Sequence, residues 1–371
     1  MDNNKIKTYL THLGLFIFTF ISTTFSGSFF IKGKMWGWTE YSWADFSEGM
    51  KYSVPFLLIL TVHEFGHYFT ARYNKVKTTL PYYIPLPPIP MLIGTMGAVI
   101  RIKDFIKSKK VHFDIGLAGP LAGFVVAIAL LFYGYSNLPP VEYIYEIHPE
   151  YEAYGTDYAD YYAENDSLIS IKIGKNLAIL FFENYVADAE LVPHANEFVH
   201  YPYLFAGFLA LFFTALNLLP IGQLDGGHVL YGLVGAKWHS RVAVTFFLAM
   251  LFYSGLGYIS PHQPYDELIW HVPIYMAFLY FALKGLKMNS QTTLMYALII
   301  FSVQFMLALY NPALKGFEGW LLFSLIIGRF VGVYHPKSPI EEPLDLKRQI
   351  LGWLALVIFI ISFSPVPLSI G

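Results

Sequence analysis

The sequence predicts an all-α polytopic membrane protein with about nine transmembrane helices and a re-entrant segment or short β element between the second and third. Of its 371 residues, 56% are hydrophobic and only 13% are charged, whereas a soluble domain is typically about 25% charged. Long apolar runs recur along the chain, and Lys and Arg concentrate in alternate connecting segments. The net charge of −2 does not indicate a nucleic-acid partner. The absence of cysteine excludes disulfides, thiolate metal ligands and thiol nucleophiles.

Nine stretches are candidate transmembrane helices, each of which needs about 20 largely apolar residues. They lie near residues 9–30, 51–72, 112–135, 202–219, 240–259, 268–284, 292–310, 319–334 and 349–365. The first stretch could also be read as a signal peptide. It continues to about Phe30 without an Ala-x-Ala-like cleavage site, which favours a retained helix.

The positive charges predict the orientation of the chain, because cytoplasmic loops are enriched in Lys and Arg. With the N-terminus in the cytoplasm, the five inside segments hold 17 of the 24 Lys and Arg; these segments are 1–8, 72–111, 220–241, 284–291 and 335–348. The C-terminus is then expected outside. No Arg- and Ser-rich transit peptide is evident, so a bacterial inner membrane is the expected location.

The predicted spans divide the chain into five parts. Residues 1–49 form an N-terminal span and an extracytoplasmic loop, 50–135 and 201–239 form the two halves of a catalytic membrane core, and 240–371 form the C-terminal helices. Residues 136–200 form an extracytoplasmic insert with twelve Asp or Glu and two Lys. Two interpretations of the insert stay open: a solvated, partly ordered loop, or a segment that screens substrates.

An apolar segment over residues 80–103 contains five prolines, which exclude a regular helix. Irregular backbone at membrane depth is tolerated only where protein or water shields it. We therefore expect a re-entrant segment that ends in a short strand near residues 97–102, beside the functional site.

The second span contains the pattern His63-Glu64-Phe65-Gly66-His67. A helix turns about 100° per residue, so the two histidines, four residues apart, point to nearly the same side. Two imidazole nitrogens in this arrangement can bind one zinc ion. Glu64 follows His63 directly and is placed to act as a general base on water. The alternative is a buried His–Glu hydrogen-bonded cluster that only positions helices.

A catalytic zinc site usually has a third protein ligand and an open position for water. Asp225 is the candidate, since it follows an apolar helix and the Pro220 break and precedes Gly226 and Gly227. In the predicted topology, the second and fourth spans both end on the cytoplasmic side. Asp225 could instead be the N-cap of the next helix.

These elements resemble the site-2 protease family of intramembrane zinc metalloproteases, and in particular its bacterial and plastid-type members without a PDZ domain. The resemblance rests on the HExxH pattern at 63–67 and on Asn217-x-x-Pro220-x-x-x-Leu224-Asp225-Gly226. Further similar elements are residues 94–97 and 118–123 and the C-terminal stretch with His335-Pro336 and Pro343-Leu344-Asp345. The insert at 136–200 is too short for the usual PDZ fold.

The resemblance implies a peptidase that cuts a transmembrane segment of a membrane protein within the lipid bilayer, in regulated intramembrane proteolysis. It implies one zinc ion per chain, with His63, His67 and Asp225 as ligands and Glu64 as the catalytic base. It also implies that Asn217 lies near the scissile carbonyl.

Other interpretations are open for several residues and for the whole chain. Asn217 could form only an interhelical hydrogen bond, His228 could be a fourth ligand or an interfacial histidine, and His335 is expected in a cytoplasmic loop. The small residues at 116–123 could be a helix-packing face. A polytopic transporter with intramembrane acids and histidines, or a catalytically silent membrane scaffold, would also place polar residues in spans. The transporter does not explain the HExxH order or its Leu-Asp-Gly partner, and all the catalytic groups that a silent scaffold could lack are present.

Overall fold

The computed structural model describes residues 3–158, 160–161 and 171–370, which are mostly helical. Part of the predicted insert at 136–200 therefore lies outside the described residues. We number the elements in chain order. The helices are α1 Asn3–Lys32, α2 Trp43–Tyr73, α3 Lys109–Ser136, α4 Glu142–Ile147, α5 Leu177–Tyr185, α6 Pro202–Asn217, α7 Asp225–Ser254, α8 Tyr265–Leu283, α9 Ser290–Tyr310, α10 Gly319–Ile326 and α11 Leu346–Ser362. The strands are β1 Tyr82–Pro85, β2 Thr95–Val99, β3 Ile171–Ile173 and β4 Leu368–Ile370.

Each of the nine candidate stretches coincides with a helix, but the helices differ in their capacity to span a bilayer. Within the described part of the chain, four are long and apolar enough: Lys5–Lys32, Lys109–Ser136, Tyr265–Leu286 and Ser290–Tyr310. Two apolar helices are shorter, Pro202–Asn217 and Gly319–Val331. These helices support a multi-pass membrane protein, and nine crossings stay a prediction.

The chain divides into two compact units. Unit 1 comprises Met1–Phe105, Ala118–Leu216 and Val357–Gly371, and unit 2 comprises Ile106–Leu117 and Asn217–Leu356. Unit 1 thus contains α1, α2 and most of α3, while unit 2 contains α7 to α10.

The core of unit 1 is built on aromatic side chains from α1, α2 and α6. Tyr52 stacks on Phe56 with ring centroids 5.3 Å apart and on Phe205 at 5.6 Å. Phe30 of α1 meets Phe205 edge-on at 4.8 Å. All four side chains are buried. Offset and edge-to-face pairs of this kind add stability beyond area burial, about 0.5–1.5 kcal/mol each.

The proline-rich segment forms an antiparallel hairpin in which Tyr82 pairs with Val99 and Tyr83 with Ala98. The prediction of a strand here is corrected in extent, since β2 covers Thr95–Val99 and not 97–102. The strand begins earlier because Gly94, with φ +82°, makes the turn into it. A Cβ at Gly94 would also lie 2.5 Å from the Thr23 Cα of α1, so only glycine fits.

Hydrogen bonds from α1 and α2 anchor the hairpin. The buried His12 ring donates through Nδ1 to the Pro81 carbonyl at 2.9 Å, and the Tyr52 hydroxyl donates to the Ile93 carbonyl at 3.2 Å. The Ser22 hydroxyl donates to the Leu86 carbonyl. In a regular helix or sheet these carbonyl groups would accept hydrogen bonds from backbone N–H groups, and here they accept them from side chains. Whether the hairpin enters a bilayer stays a prediction.

Within its described residues, the insert contains buried side chains and strand pairing and is not a wholly solvated loop. Ile144, Tyr151 and Phe182 are buried within it, and β3 pairs antiparallel with β4 at the C-terminal end of the chain. The Asn176 side chain also donates to the Ser362 carbonyl at 3.0 Å. The pairing requires the insert and the C-terminal strand to lie on the same side of any membrane that the chain spans.

Candidate metal centre

Helix α2 presents the HExxH residues from a well-defined start. Ser42 and Asp45 form a capping box at its N-terminus, in which each side chain bonds to the backbone N–H of the other. The helix then runs without interruption to Tyr73. His63, Glu64 and His67 are therefore held on rigid helical backbone.

The two histidines of α2 face each other as the four-residue spacing predicts. Their Nε2 atoms are 3.1 Å apart. His63, Glu64 and His67 are only 6–7% exposed in a helix that is otherwise rich in apolar residues. Buried imidazole nitrogens at this separation are a suitable donor set for one zinc ion, which binds histidine at about 2.0–2.1 Å.

Glycines of α3 allow that helix to lie directly against the histidines. A Cβ at Gly119 would be 2.5 Å from the Cδ2 and Cε1 atoms of His67, and one at Gly123 would be 3.2 Å from the His63 Cβ. On the facing side, a Cβ added at Gly66 of α2 would lie 2.7 Å from the Ala118 carbonyl oxygen. The small residues at 118–123 are therefore a packing face, as one interpretation of the sequence held, and this face positions the histidine rings.

Tyr83 of β1 is a neighbour of the site that the sequence analysis missed. Its hydroxyl lies 2.6 Å from Thr61 Oγ1, and Thr61 also lies 2.6 Å from the Leu57 carbonyl, which can only accept. Thr61 therefore donates to Leu57, and Tyr83 donates to Thr61. Burial raises the pKa of Tyr83, and the charge of nearby Glu64 adds to the increase. The hydroxyl thus keeps its proton at neutral pH.

Unit 2 contains the second sequence element. Asn217 is the last residue of α6 and Asp225 the first of α7. Leu224, with extended backbone, occupies the N-cap position and makes no side-chain cap bond. The N-cap alternative for Asp225 is therefore wrong, because the helix begins at Asp225 itself, one residue earlier than an N-cap at this position requires.

The Gly226-Gly227 pair has a steric role at the start of α7. A Cβ on Gly226 would lie 2.7 Å from the Leu219 carbonyl, and one on Gly227 would lie 2.6 Å from the Ile221 carbonyl. The loop that links α6 to α7 therefore packs directly on the first turn of α7. Larger residues would displace this loop and with it the backbone that holds Asn217 and Asp225.

A second histidine group lies in unit 2, where His112, His228 and His335 gather. His335 Nδ1 donates to its neighbouring Pro336 carbonyl at 2.6 Å, so its Nε2 accepts from His228 Nδ1 at 2.7 Å. Burial lowers the pKa of His335 to about 4, which keeps this ring neutral. His335 lies in the loop between α10 and α11, where it is buried, and His228 is hydrogen-bonded to it.

The predicted site residues are therefore distributed over both units. His63, Glu64 and His67 come together on α2 in unit 1, while Asn217 and Asp225 belong to unit 2. Tyr83 could have been found only from long-range contacts, since it does not stand at a recognisable spacing from the HExxH pattern. Gly119 lies in the 118–123 element that the sequence marks, but its contact with His67 is visible only in the structure.

A comparison with protein families finds that the profile of Peptidase family M50 matches residues 51–256. This match begins in the N-terminal half of α2 and ends just after α7, so it includes both the HExxH pattern and the Leu-Asp-Gly element. It covers more than half of the 371 residues.

Curated plant proteins are also similar to this chain. "Probable zinc metalloprotease EGY1, chloroplastic" of Arabidopsis thaliana is 30% identical over 217 residues, which are 58% of this chain and 34% of that protein. "Probable zinc metallopeptidase EGY3, chloroplastic" of the same plant is 26% identical over 274 residues, 70% of this chain and 42% of that protein. The chain spans about a third of the length of the first relatives it matches. No solved structure matches it.

Proposed function

Because this chain belongs to peptidase family M50, we propose that it is a membrane zinc metalloprotease that cuts membrane proteins within or near their transmembrane segments, in regulated intramembrane proteolysis. The observation that carries the proposal is the buried pair of His63 and His67, with Nε2 atoms 3.1 Å apart, beside Glu64 on an apolar helix. Ionisable groups are costly within a membrane and usually functional there.

We assign the zinc ligands to His63, His67 and Asp225. Two neutral imidazoles and one carboxylate are a common ligand set of catalytic zinc, which keeps a further position for water. When bound, zinc polarises a carbonyl and lowers the pKa of water that it binds to about 7. The names of the plant relatives describe them as zinc metalloproteases, which supports the choice of metal.

Glu64 then acts as general base and general acid. Its carboxylate accepts a proton from the attacking water and later donates it to the leaving amine. Burial of Glu64 among apolar residues removes competing bulk water from this transfer. We further propose that the Asn217 amide donates to the oxygen of the scissile carbonyl as negative charge develops there.

The substrate must expose a peptide bond before it can be cut, because a transmembrane helix engages its amides in internal hydrogen bonds. We propose that strand β2 receives the unwound segment by β-addition. The hairpin has two strands, so each strand has one edge without a neighbouring strand in this sheet. Met96 and Val99 are 66% and 50% exposed, and they offer apolar contacts to an extended, apolar peptide.

Proline substitutions in and after β2 test this mode of binding. Of the variants Ala98→Pro and Ile100→Pro, one removes a backbone N–H that points away from β1 toward the proposed substrate strand. We expect that variant to lower cleavage by about tenfold or more, because proline removes the hydrogen-bond donor and also makes the backbone rigid. Zinc content should stay at the wild-type level. Unchanged cleavage by both variants would exclude β-addition at this strand.

The overall proposal is tested by cleavage of a membrane-spanning peptide by the purified chain in proteoliposomes. Mass spectrometry of the products gives the cut position, which we expect within or next to the apolar segment. A zinc chelator should stop the reaction, and added zinc should restore it. Cleavage confined to soluble peptides would contradict the substrate class but retain the enzyme class.

We also propose the bilayer placement in its finer form, with the N-terminus in the cytoplasm of a bacterial inner membrane. The bias of Lys and Arg toward the predicted inside segments supports the orientation. The chloroplast location in the names of the plant relatives describes those proteins, and it makes a plastid membrane the competing location. Protease protection of tags at each end of the chain would test the orientation.

A further inference from the structure

The insert contains a second convergence of metal-ligating side chains, away from the HExxH helix. His148 follows α4, whereas Glu197 and His200 lie immediately before α6. One ligand atom from each residue lies within 4.8 Å of the others. All three residues belong to unit 1, and they join parts of the sequence about fifty residues apart.

The separations match the edges of a metal tetrahedron. The Nε2 atoms of His148 and His200 are 3.2 Å apart, and Glu197 Oε2 is 3.6 Å from the first and 3.5 Å from the second. Zinc binds nitrogen and oxygen at about 2.0–2.2 Å, so two ligand atoms of one tetrahedral ion lie about 3.3–3.6 Å apart. The three atoms therefore require only small movements to bind a single cation.

The opposite ring nitrogens fix which atoms face the centre. His200 Nδ1 is 3.0 Å from the Ile31 carbonyl, and His148 Nδ1 is 3.2 Å from Glu150 Oε1. Both acceptors lack protons, so both Nδ1 atoms donate, and in the neutral rings both Nε2 atoms carry lone pairs. Two lone pairs and a carboxylate oxygen thus converge, which is unfavourable unless a cation or an extra proton lies between them.

Outer contacts hold these ligands as they do in known metal sites. The Tyr151 hydroxyl donates to the other Glu197 oxygen at 3.0 Å, and its ring stacks on His148 with centroids 4.7 Å apart. Histidine ligands typically donate their second N–H to a carbonyl or carboxylate, as His200 and His148 do here. Glu197 is fully buried, whereas the His148 side chain is 27% exposed and provides a path for an ion.

We propose that His148, Glu197 and His200 bind a divalent transition-metal ion, with zinc as the fitting example, and that this ion joins the beginning and the end of the acidic insert beside the C-terminal end of α1. Three protein ligands leave one position for water. The ion would add to the stability of this short, acidic segment, because binding free energy at such a site contributes to folding. This inference does not depend on the proposed protease function.

Zinc stoichiometry in full-length protein tests the proposal. The parent carries His63→Ala and His67→Ala, so that the HExxH pair cannot contribute. We expect the detergent-purified parent to hold one zinc per chain after loading and gel filtration. Addition of His148→Ala or Glu197→Gln should abolish this zinc, and Tyr151→Phe should weaken it by about 10- to 100-fold. His194→Ala, in the same insert but outside the ligand set, is the matched control and should keep the zinc.

Thermal unfolding separates metal loss from misfolding. Added zinc should raise the melting temperature of the parent and of the His194→Ala control but not that of the His148→Ala variant. A folded parent that binds no zinc would overturn the proposal and would leave a proton shared between the two imidazoles. Zinc retained by both the His148→Ala and Glu197→Gln variants would also overturn it. Failure of the protease proposal would give a different result: the wild-type protein would hold no more zinc than the parent that lacks His63 and His67.

Discussion

Replacement of Glu64 by glutamine is expected to lower the rate of peptide-bond cleavage by about 10²- to 10⁴-fold, the usual contribution of a general acid–base group. Glutamine has nearly the same shape but accepts no proton at neutral pH, so the water is no longer activated and the leaving amine receives no proton. The zinc content should remain that of wild type, because Glu64 is not a proposed ligand. Cleavage of a labelled membrane-spanning peptide in proteoliposomes measures the effect.

Glu48→Gln is the matched control for this experiment. Glu48 lies on the same helix and forms an ion pair with Lys51 at 2.8 Å, with 29% of its side chain exposed. Exposed pairs of this kind contribute about 0–1 kcal/mol to stability. The control should therefore retain wild-type cleavage. A fully active Glu64→Gln variant with intact zinc would remove Glu64 from the mechanism.

Substitution of Gly119 by alanine is expected to lower cleavage by about 100-fold or more and to weaken zinc binding. A Cβ there would meet the His67 ring at 2.5 Å, a distance that real contacts do not show, so the ring or helix α3 must move. A shift of about 1 Å in a catalytic group can cost about 10²-fold in rate. Cleavage rates and zinc affinity of the purified variant measure both effects.

Alanine substitutions at two other glycines serve as a milder variant and a control. Gly123→Ala would approach His63 at 3.2 Å, so it should give a smaller loss than Gly119→Ala. Gly14→Ala in α1 has no neighbouring atom within 4 Å and should leave activity unchanged. If Gly119→Ala had wild-type activity, His67 would not depend on α3 for its position.

The parts of the structure that follow from local periodicity were predictable from the sequence. His63 and His67 face the same side because a helix repeats every 3.6 residues. The prolines at 81–90 likewise excluded a helix there, and a hairpin occupies the segment. Apolar runs marked all of the stretches in which long helices occur, but their ends were less predictable: α7 begins with Asp225, about 15 residues before the predicted span near residue 240.

The parts that depend on long-range contacts were not predictable. His148 meets His200 across 52 residues, and no local spacing marks either as a ligand. Tyr83 reaches Thr61 only because the hairpin folds back on α2. Tyrosine contributes to the buried part of the acidic insert in the same long-range way: Tyr151 is buried, and its polar hydroxyl donates to Glu197, 46 residues away.

The central claim, that the HExxH helix and the Leu-Asp-Gly element hold one catalytic zinc, is tested most directly by zinc content. The measurement compares detergent-purified, folded wild type with His67→Ala and Asp225→Ala. We expect each variant to hold one zinc per chain fewer than wild type, which would join two elements 158 residues apart in one metal site. Full zinc content in the Asp225→Ala variant, or a wild type that binds no zinc even after the metal is added, would contradict the account.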